Sequence, residues 1–285
     1  MVTPGETVST WIVVGVRTFA KGREVTPLLR NDLAEAAPVS FPPNALLQRI
    51  APAERARLAR FLDVVRLPAG AMLCESGTYL RHVWFPHDAV ASTVVHLPES
   101  DVVDVGLLGA EALVGTDPLF GGRRSTTTVV VHVAGHASRM DADDFRREVV
   151  LRGGEPYRVF LGFAAAYQRV MAQLAVCNAH HALGQRLARW LLMLDDRVAG
   201  GVVELTQERL AFLLVARRAS ITQIANALRS SGAIKYRRGR IAVRDRPALL
   251  AASCGCYPVV ARLIPRTHLA GWGPGGGRSP VSGTH

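Results

Sequence analysis

Apolar and polar positions alternate most clearly between residues 204 and 243, where two helical periods follow each other. Thr206 can cap a first helix, whose apolar stripe consists of Leu210, Leu213 and Leu214. A break at residues 215–217 precedes a second helix with a repeating apolar face: Ile221, Ile224, Ala225 and Leu228. The opposite face is polar and almost uncharged: Ala219, Thr222, Gln223, Asn226 and Ser230. The pattern predicts two helices joined by a tight turn.

A small β-hairpin is predicted directly after the second helix. Gly232 fits the position just past a helix end, and apolar residues then alternate on both sides of a basic turn at residues 237–240. Helix, turn, helix and hairpin together indicate a winged helix-turn-helix. Its polar, uncharged face suits base edges, and the surrounding arginines suit phosphates. The alternative is a helical hairpin with a solvated basic face.

The N-terminal half has a different pattern. After a short amphipathic segment at residues 44–61, short apolar or alternating runs continue to residue 133, separated by Gly, Pro and Asp. Many short strands at near-regular spacing are typical of a sandwich or barrel, and we predict a compact jelly roll. Residues 1–43 mix Gly, Pro and scattered charge and are expected to form an irregular extension.

A long helix is predicted from Pro156 onward. Its apolar residues alternate spacings of three and four and so form a heptad seam: Phe160, Phe163, Tyr167, Val170, Leu174 and Cys177. On pattern alone two interpretations stay open, since the seam could pair two chains or fill the core of its own domain. We expect a dimer seam, because helix-turn-helix proteins usually bind DNA as two-fold pairs. Polar residues in the middle of the helix argue against a membrane span: Gln168, Arg169 and Gln173.

Composition limits the partners of the chain. Its 285 residues allow about two domains, and a net charge of +11 with a pI near 10.5 points to a polyanion, with nucleic acid the first candidate and a membrane surface the second. Residues 206–246 carry ten Arg or Lys against two acids.

The four cysteines are too few for a secreted disulfide framework. No apolar run is judged long enough to span a bilayer and no signal peptide is evident, so we expect a cytoplasmic protein without a membrane partner.

Metal and catalytic chemistry receive less support. Cys177 with His180 and His181, or the pair Cys254 and Cys256, could indicate metal or redox sensing. A metal site needs three or four convergent ligands, which the sequence does not show, so we predict no metal site and interpret Cys177 as a small buried hydrophobe. The chain has no nucleophile elbow, phosphate loop or HExxH motif, which argues against an enzyme.

The order of these parts resembles the Crp/Fnr family of bacterial transcription regulators over roughly residues 44–257. The most specific match is LTQERLAFLLVARRASITQIANALRSSGAIKYRRGRIAV. The resemblance implies an α+β fold with a jelly-roll β-barrel sensor domain at 44–153, a long dimerisation helix at 154–179 and a winged helix-turn-helix at 180–257. It also implies a homodimer that binds double-stranded DNA, with RNA polymerase as a partner. From composition, residues 258–285 are expected to form a disordered tail, since they are rich in Gly, Pro, Ser and Thr from residue 265 onward.

The resemblance also assigns DNA contacts by position. Base edges would face Arg218, Ala219, Thr222 and Gln223. Phosphates would be bound by Arg217, Ser220, Arg229, Arg237, Arg238 and Arg240. Two positions depart from the family pattern, because Val215 stands where the turn usually has Gly, and Ala219 replaces the common acidic reader. The target sequence should therefore differ from those read by the best-known members.

The sensor half matches less well. Cyclic-nucleotide-binding members carry a Gly-Glu pair and a later Arg-Ser pair, for which this chain offers only approximate counterparts. The resemblance thus gives one candidate effector pocket: Glu111, Arg124 and Ser125. We expect Arg124 to be a solvated loop residue, so that a bound cyclic nucleotide is the less favoured interpretation and no cofactor is assigned. The domain could instead be a scaffold or bind another small effector. The rival interpretation of the whole chain is a ligand-binding regulatory module that controls a protein partner.

Overall fold

The structure is a computed structural model that describes residues 44–96, 102–198 and 201–264. The expected N-terminal extension, residues 1–43, lies outside the described residues, as does the part of the expected tail from 265 to 285. Among the described residues, one helix is long and apolar enough by composition to cross a membrane, Gly154–His180, contrary to the expectation that no run would be. This helix instead packs one face onto a β-roll.

Seven strands form that β-roll, and they confirm the predicted jelly-roll domain. They are β1 (Asp63–Leu67), β2 (Met72–Cys74), β3 (His82–Pro86), β4 (Val90–His96), β5 (Val102–Leu108), β6 (Thr128–Val133) and β7 (Gly135–Asp141). One antiparallel sheet has the order β1-β7-β3 and the other β2-β6-β4-β5. The strands are rich in β-branched and aromatic residues, which pack well on a pleated surface.

Two short helices precede the roll, α1 (Ala45–Gln48) and α2 (Pro52–Ala59). Asn44 is 1% exposed and caps α1, because its Oδ1 accepts from the backbone N–H groups of Leu46 and Leu47, both at 3.0 Å. Its Nδ2 donates to the carbonyls of Pro86 and Ala112 at 2.9 Å. One buried side chain therefore attaches the lead-in segment to the roll.

The long helix follows the roll. Helix α3 (Ala142–Phe145), capped by Asp141, runs into a π-helical turn (Arg146–Leu151), and α4 (Gly154–His180) then begins two residues before the predicted Pro156. The expected dimer seam of α4 is buried within its own chain, which corrects that prediction. Each of its members is at most 7% exposed: Phe160, Phe163, Tyr167, Val170 and Leu174.

The reason for this burial is the apolar face of the roll. The Phe160 ring lies between the rings of Phe85 and Phe145, at 5.5 and 5.8 Å between centroids. The Tyr167 hydroxyl donates to the carbonyl of Gly106 at 3.0 Å and also contacts Thr93 Oγ1 at 2.8 Å. Large side chains on this stripe fill the space between helix and sheet, so the stripe serves the core of one chain.

The C-terminal half is a winged helix-turn-helix, as predicted. Its elements are α5 (Leu183–Val198), β8 (Val203–Glu204), α6 (Gln207–Leu213), α7 (Arg218–Ser230), β9 (Ile234–Arg237), β10 (Arg240–Val243), α8 (Arg246–Ala252) and α9 (Cys256–Leu263). The three strands pair in the order β8-β10-β9. Helix α9 was not predicted, and it makes residues 258–263 ordered helix, whereas a disordered tail was expected from residue 258.

Candidate nucleic-acid interface

Helix α7 is the second helix of the helix-turn-helix, with one buried and one exposed face. Ile221 and Ala225 are at most 1% exposed and Leu228 is 7% exposed, so this face fixes the helix on the domain. The turn before it depends on Val215, whose φ of +48° lies in the left-handed region that β-branched residues rarely adopt. The sequence departure at this position is therefore a strained residue in an otherwise regular helix-turn-helix.

The side chains predicted to face bases lie mainly on the exposed side of α7. Arg218, Ala219 and Gln223 are exposed, whereas Thr222 is half-buried. The Thr222 hydroxyl lies 2.7 Å from Oε1 of Gln207 on α6 and 3.0 Å from the carbonyl of Arg218. The structure thus brings the four predicted positions to one helix face, with Thr222 turned toward α6.

Arg218 forms an ion pair that does not restrict it strongly. Its Nη1 lies 3.1 Å from Oε1 of Glu208, and the two side chains are 66% and 70% exposed. Exposed ion pairs of this kind contribute roughly 0–1 kcal/mol. A guanine edge, which offers two acceptors to a guanidinium, can therefore replace the carboxylate at small cost.

The predicted phosphate contacts surround this helix. Ser220 is half-buried. The five arginines are exposed: Arg217, Arg229, Arg237, Arg238 and Arg240. The hairpin turns through Arg238 and Gly239, with φ of +51° and +73°. Two consecutive left-handed residues match the twist of a tight hairpin. The turn therefore presents basic side chains at the tip of the wing.

Two of the ten cations between residues 206 and 246 make contacts inside the protein. Arg209, on α6, donates from Nη2 to the carbonyl of Val131 at 2.9 Å and to Nδ1 of His132 at 3.0 Å. Arg246 pairs with Asp195 and Asp196. Both arginines hold the domain together or against the β-roll, so the basic surface around α7 depends on the others.

The contact between Arg209 and His132 joins the DNA-binding domain to the roll, and sequence reasoning missed it. His132 is 2% exposed, and its Nε2 lies 2.6 Å from the Ser92 hydroxyl. Burial, with the nearby Arg209 charge, lowers the pKa of His132 to about 3. Nearby, burial raises the pKa of Asp104, whose Oδ2 accepts from Trp190 Nε1 at 3.2 Å. No local pattern in the sequence signals this long-range pairing.

The three candidate effector residues have separate partners. Glu111 pairs with Arg197 of α5 at 2.7 Å, and both side chains are 8% exposed. Arg124 is exposed and donates to the carbonyl of Gly77 at 2.7 Å. Ser125, 2% exposed, donates to the carbonyl of Thr127 at 2.7 Å. The structure does not gather these side chains around one ligand, and Glu111 instead holds the roll against α5.

A cavity of about 370 Å³ lies elsewhere, between the roll and α4. Its lining is apolar with hydroxyls and one carboxylate, and includes Thr93, Asp117, Thr126, Tyr167 and Met171. Asp117 Oδ1 accepts from the Thr126 backbone N–H at 2.8 Å and from its hydroxyl at 2.7 Å. Among the residues that line this cavity, none is Lys, Arg or His. The site can hold a small ligand between sheet and helix.

Some of the cysteines and histidines considered as metal ligands in the sequence lie close together in the structure. Cys177, His181, Cys254 and Cys256 place their ligand atoms within 4.8 Å of one another. Burial raises the pKa of the Cys177 thiol to about 12. The sequence alone could not show this convergence, because 73 residues separate His181 from Cys254.

Comparisons with known proteins support the same organisation. The profile of the cyclic nucleotide-binding domain matches residues 64–150, and that of the Crp-like helix-turn-helix domain matches residues 185–252. Together they match more than half of the chain. A comparison with curated protein sequences found no match.

Several solved structures share the fold. A CRP-family transcriptional regulator from Thermus thermophilus is 17% identical, with a TM-score of 0.54, over 67% of this chain and 98% of its own. FixK2 from Bradyrhizobium japonicum is 12% identical, with a TM-score of 0.58, over 68% and 98%. The c-di-GMP responsive regulator CLP from Xanthomonas campestris is 13% identical, with a TM-score of 0.56, over 68% and 99%.

The fold and the two matched domains define a DNA-binding transcription regulator, built from a cyclic-nucleotide-binding-type β-roll and a winged helix-turn-helix. The chain belongs to the Crp/Fnr family of transcriptional regulators.

Proposed function

We propose that the chain regulates transcription as a homodimer whose two α7 helices read a pseudo-palindromic DNA site. The observation that carries this proposal is the exposed, nearly uncharged face of α7 surrounded by exposed arginines. Two-fold helix-turn-helix proteins bind half-sites roughly 34 Å apart, so the same spacing is expected here. A cytoplasmic location fits this function, and so does RNA polymerase as a further partner.

Base reading falls to side chains with matching donors and acceptors. Gln223 is exposed on α7 and can bond both hydrogen-bonding atoms of an adenine edge, while Arg218 can bond both acceptors of guanine. Ala219 offers only a methyl group, which suits a thymine methyl. Arg240, next to the turn at the tip of the wing, would bind the backbone without reading sequence.

Selection of bound oligonucleotides from a random duplex pool tests this assignment. We expect an inverted repeat, with Gln223→Ala relaxing one base pair per half-site at a cost of about 1–3 kcal/mol. Arg240→Ala should weaken all sequences alike and reduce the salt dependence of binding by about one phosphate contact per subunit. Equal, sequence-independent losses for both variants would refute the placement of α7 in the groove.

The dimer is proposed to form on the face of α4 that the roll leaves exposed. A second stripe on α4 also alternates spacings of three and four: Gly162, Ala165, Arg169, Ala172, Val176 and Ala179. Val176 is 54% exposed, and a Cβ added at Gly162 would meet nothing within 4 Å. Small residues let two helices approach closely, so this stripe suits a second copy of α4 better than the buried one.

A matched pair of variants tests this dimer face. Ala172→Glu places a charge in the centre of the stripe and should convert the dimer to monomer by sedimentation equilibrium, with weaker DNA binding as a result. Ala175→Glu makes the same change at an exposed position of α4 about 60° around the helix from Ala172, at the margin of the stripe, and should leave the dimer intact. A dimer unaffected by Ala172→Glu would place the contact elsewhere.

An effector, where one acts, is proposed to bind in the cavity between the roll and α4. Its lining lacks basic side chains among the described residues and contains Asp117, so it suits an uncharged ligand and disfavours a phosphate. The response of CLP to c-di-GMP therefore does not transfer to this chain. Calorimetry with cyclic mononucleotides and c-di-GMP should show no binding, and a saturable heat with either would refute this view.

A further inference from the structure

Four metal-ligating side chains converge where the long helix meets the last two helices of the chain. Cys177 and His181 lie one turn apart at the end of α4, and Cys254 and Cys256 flank Gly255 in the link between α8 and α9. Their sulfur and nitrogen atoms all lie within 4.8 Å of one another. We call these four residues the Cys3His cluster.

The spacing within the cluster fits a tetrahedral ion. Zn–S and Zn–N bonds of roughly 2.3 and 2.05 Å place two sulfurs about 3.8 Å apart, and a sulfur and a nitrogen about 3.6 Å apart. Cys177 Sγ lies 3.5 Å from Cys254 Sγ, and Cys256 Sγ lies 3.6 Å from His181 Nδ1. A disulfide would need about 2.05 Å between sulfurs, so the first of these distances matches shared coordination better than a covalent bond.

Positive charge beside the cluster also fits metal-bound thiolates. Arg189 is 2% exposed, its Nη1 donates to Met193 Sδ at 3.2 Å, and its Nε has no hydrogen-bond partner in the described structure. No carboxylate of the described residues lies within 4.0 Å of it, and its charge acts on both Cys177 and Asp104. A buried cation needs a counter-charge.

The counter-charge would come from the metal centre itself. Three thiolates and a neutral imidazole around Zn²⁺ carry a net charge of −1, which Arg189 would neutralise. The cluster has a further donor in Gln173, whose Nε2 lies 3.2 Å from Cys256 Sγ. Hydrogen bonds of this kind orient thiolate ligands around a metal. Three buried cysteines that served only as apolar filling would leave this donor unexplained.

We propose that the cluster binds one structural Zn²⁺ through four ligands: Cys177, His181, Cys254 and Cys256. Four protein ligands leave no open coordination position, which distinguishes a structural site from a catalytic one. His181 is also the residue at which α4 ends, with an extended backbone (φ −99°, ψ 146°). The ion thus fixes the joint between α4 and the DNA-binding domain and ties the α8–α9 link to it.

Metal analysis of the purified full chain tests the site. Protein isolated with a reductant and without a chelator should contain about one zinc ion per chain, as measured by elemental mass spectrometry. Cys254→Ser and Cys256→Ser should lose most of it. Cys74→Ser changes a buried cysteine of β2 outside the cluster and should keep it. For the histidine, His181→Asn should lose zinc, whereas His180→Asn, at an exposed neighbour, should not.

A second measurement needs no variant and covers the case in which a variant fails to fold. Metal is removed from the wild type with a chelator, and Co²⁺ or Zn²⁺ alone is then added back. Co²⁺ should give the visible bands of a tetrahedral centre with thiolate-to-cobalt charge transfer, and Zn²⁺ should displace it. The chelator should also lower the melting temperature of the wild type and of Cys74→Ser more than that of Cys254→Ser.

Three outcomes would overturn the proposal. The first is that folded, reduced wild-type protein takes up no Zn²⁺. The second is that Cys74→Ser loses as much zinc as Cys254→Ser does. Peptide mapping that finds Cys177 and Cys254 joined by a disulfide in freshly isolated protein would assign the pair to redox chemistry instead. None of these readouts involves DNA, so they are independent of the proposed function.

Discussion

Acidification should separate the β-roll from the DNA-binding domain because of one buried imidazole. His132 accepts from Arg209 at Nδ1, so the proton of the neutral ring lies on Nε2 and is donated to Ser92. A second proton would have to be placed on Nδ1, facing a guanidinium, inside the protein. The folded chain therefore resists protonation of this ring, while the unfolded chain does not.

The size of the effect follows from the two pKa values. Folding lowers the pKa of His132 from 6.5 to about 3, so the stabilising contribution is fully present above pH 6.5 and is lost as the pH falls toward 3. Between pH 7 and pH 5 the unfolded chain gains nearly one proton that the folded chain does not. At about 1.36 kcal/mol per pKa unit, the free energy of unfolding should fall by about 2 kcal/mol over this range.

Urea unfolding at half-unit pH steps between 7 and 5 measures this loss, with tryptophan fluorescence as the probe because Trp190 lies 6.4 Å from the imidazole. His132→Asn keeps an acceptor for Arg209 but cannot titrate. Its stability at pH 7 should be lower, and its pH dependence should be flatter than that of the wild type by about 2 kcal/mol. Other titrating groups, such as Asp104 and His87, are present in both proteins and cancel in the difference.

A matched control is His96→Asn, which removes an exposed histidine at the end of β4. Its stability curve should follow that of the wild type. If the wild type and His132→Asn instead gave parallel curves between pH 7 and 5, the ring would be accessible to solvent. The docking of Arg209 onto the roll would then be wrong.

Three further substitutions test single contacts by urea unfolding of the full chain at pH 7. Val215→Gly should stabilise the chain by about 1 kcal/mol, because glycine adopts a φ of +48° without strain, and a loss of stability would contradict the left-handed turn. Gly106→Ala should destabilise by roughly 1–3 kcal/mol, since its Cβ would lie 2.6 Å from the Tyr167 hydroxyl; an unchanged midpoint would argue against that packing. Glu111→Ala should cost roughly 3 kcal/mol by leaving Arg197 buried without its partner, and a cost below about 1 kcal/mol would mean that the pair is solvated.

The DNA-binding half could be predicted in detail because its signals are local. Thr206 caps α6 through a hydrogen bond from the Arg209 N–H at 3.2 Å, and Gly232, with φ of +78°, follows the end of α7. Each signal lies within a few residues of the structure that it specifies. Periodicity, capping and turn chemistry agree there, and such agreement makes a sequence readable.

The sequence-based predictions were wrong where they had to decide which face of a helix is buried. Helix α4 carries two heptad stripes, and periodicity cannot show which one meets the roll and which one meets solvent. The stripe of large residues that includes Phe160 fills the core, whereas the stripe that includes Gly162 and Ala172 stays exposed. Residue size is the signal that could have separated them, since large apolar side chains gain more from burial than alanine or glycine does.

Contacts between residues far apart in the sequence could not be predicted either. Glu111 was assigned to an effector pocket through the resemblance to the family's Gly-Glu pair, yet its partner Arg197 lies 86 residues away. The metal ligands gave a clearer signal, because Cys177 with His181 and Cys254 with Cys256 are two short ligand pairs. Two such pairs predict a site only once a fold brings them together.

The predicted base-facing residues Arg218 and Gln223 are exposed while α6 is docked on the roll, so we propose that control of DNA binding does not depend on covering α7. What remains to be controlled is the position of one α7 relative to the other in a dimer. Helix α4 is the element that could transmit such a change, since one face lines the effector cavity at Tyr167 and the opposite face carries the proposed dimer stripe. A ligand that tilts α4 would shift both half-site readers together. The proposed zinc joint at His181 would make that shift rigid, so removing the metal should weaken the coupling between effector and DNA more than it weakens either binding event alone.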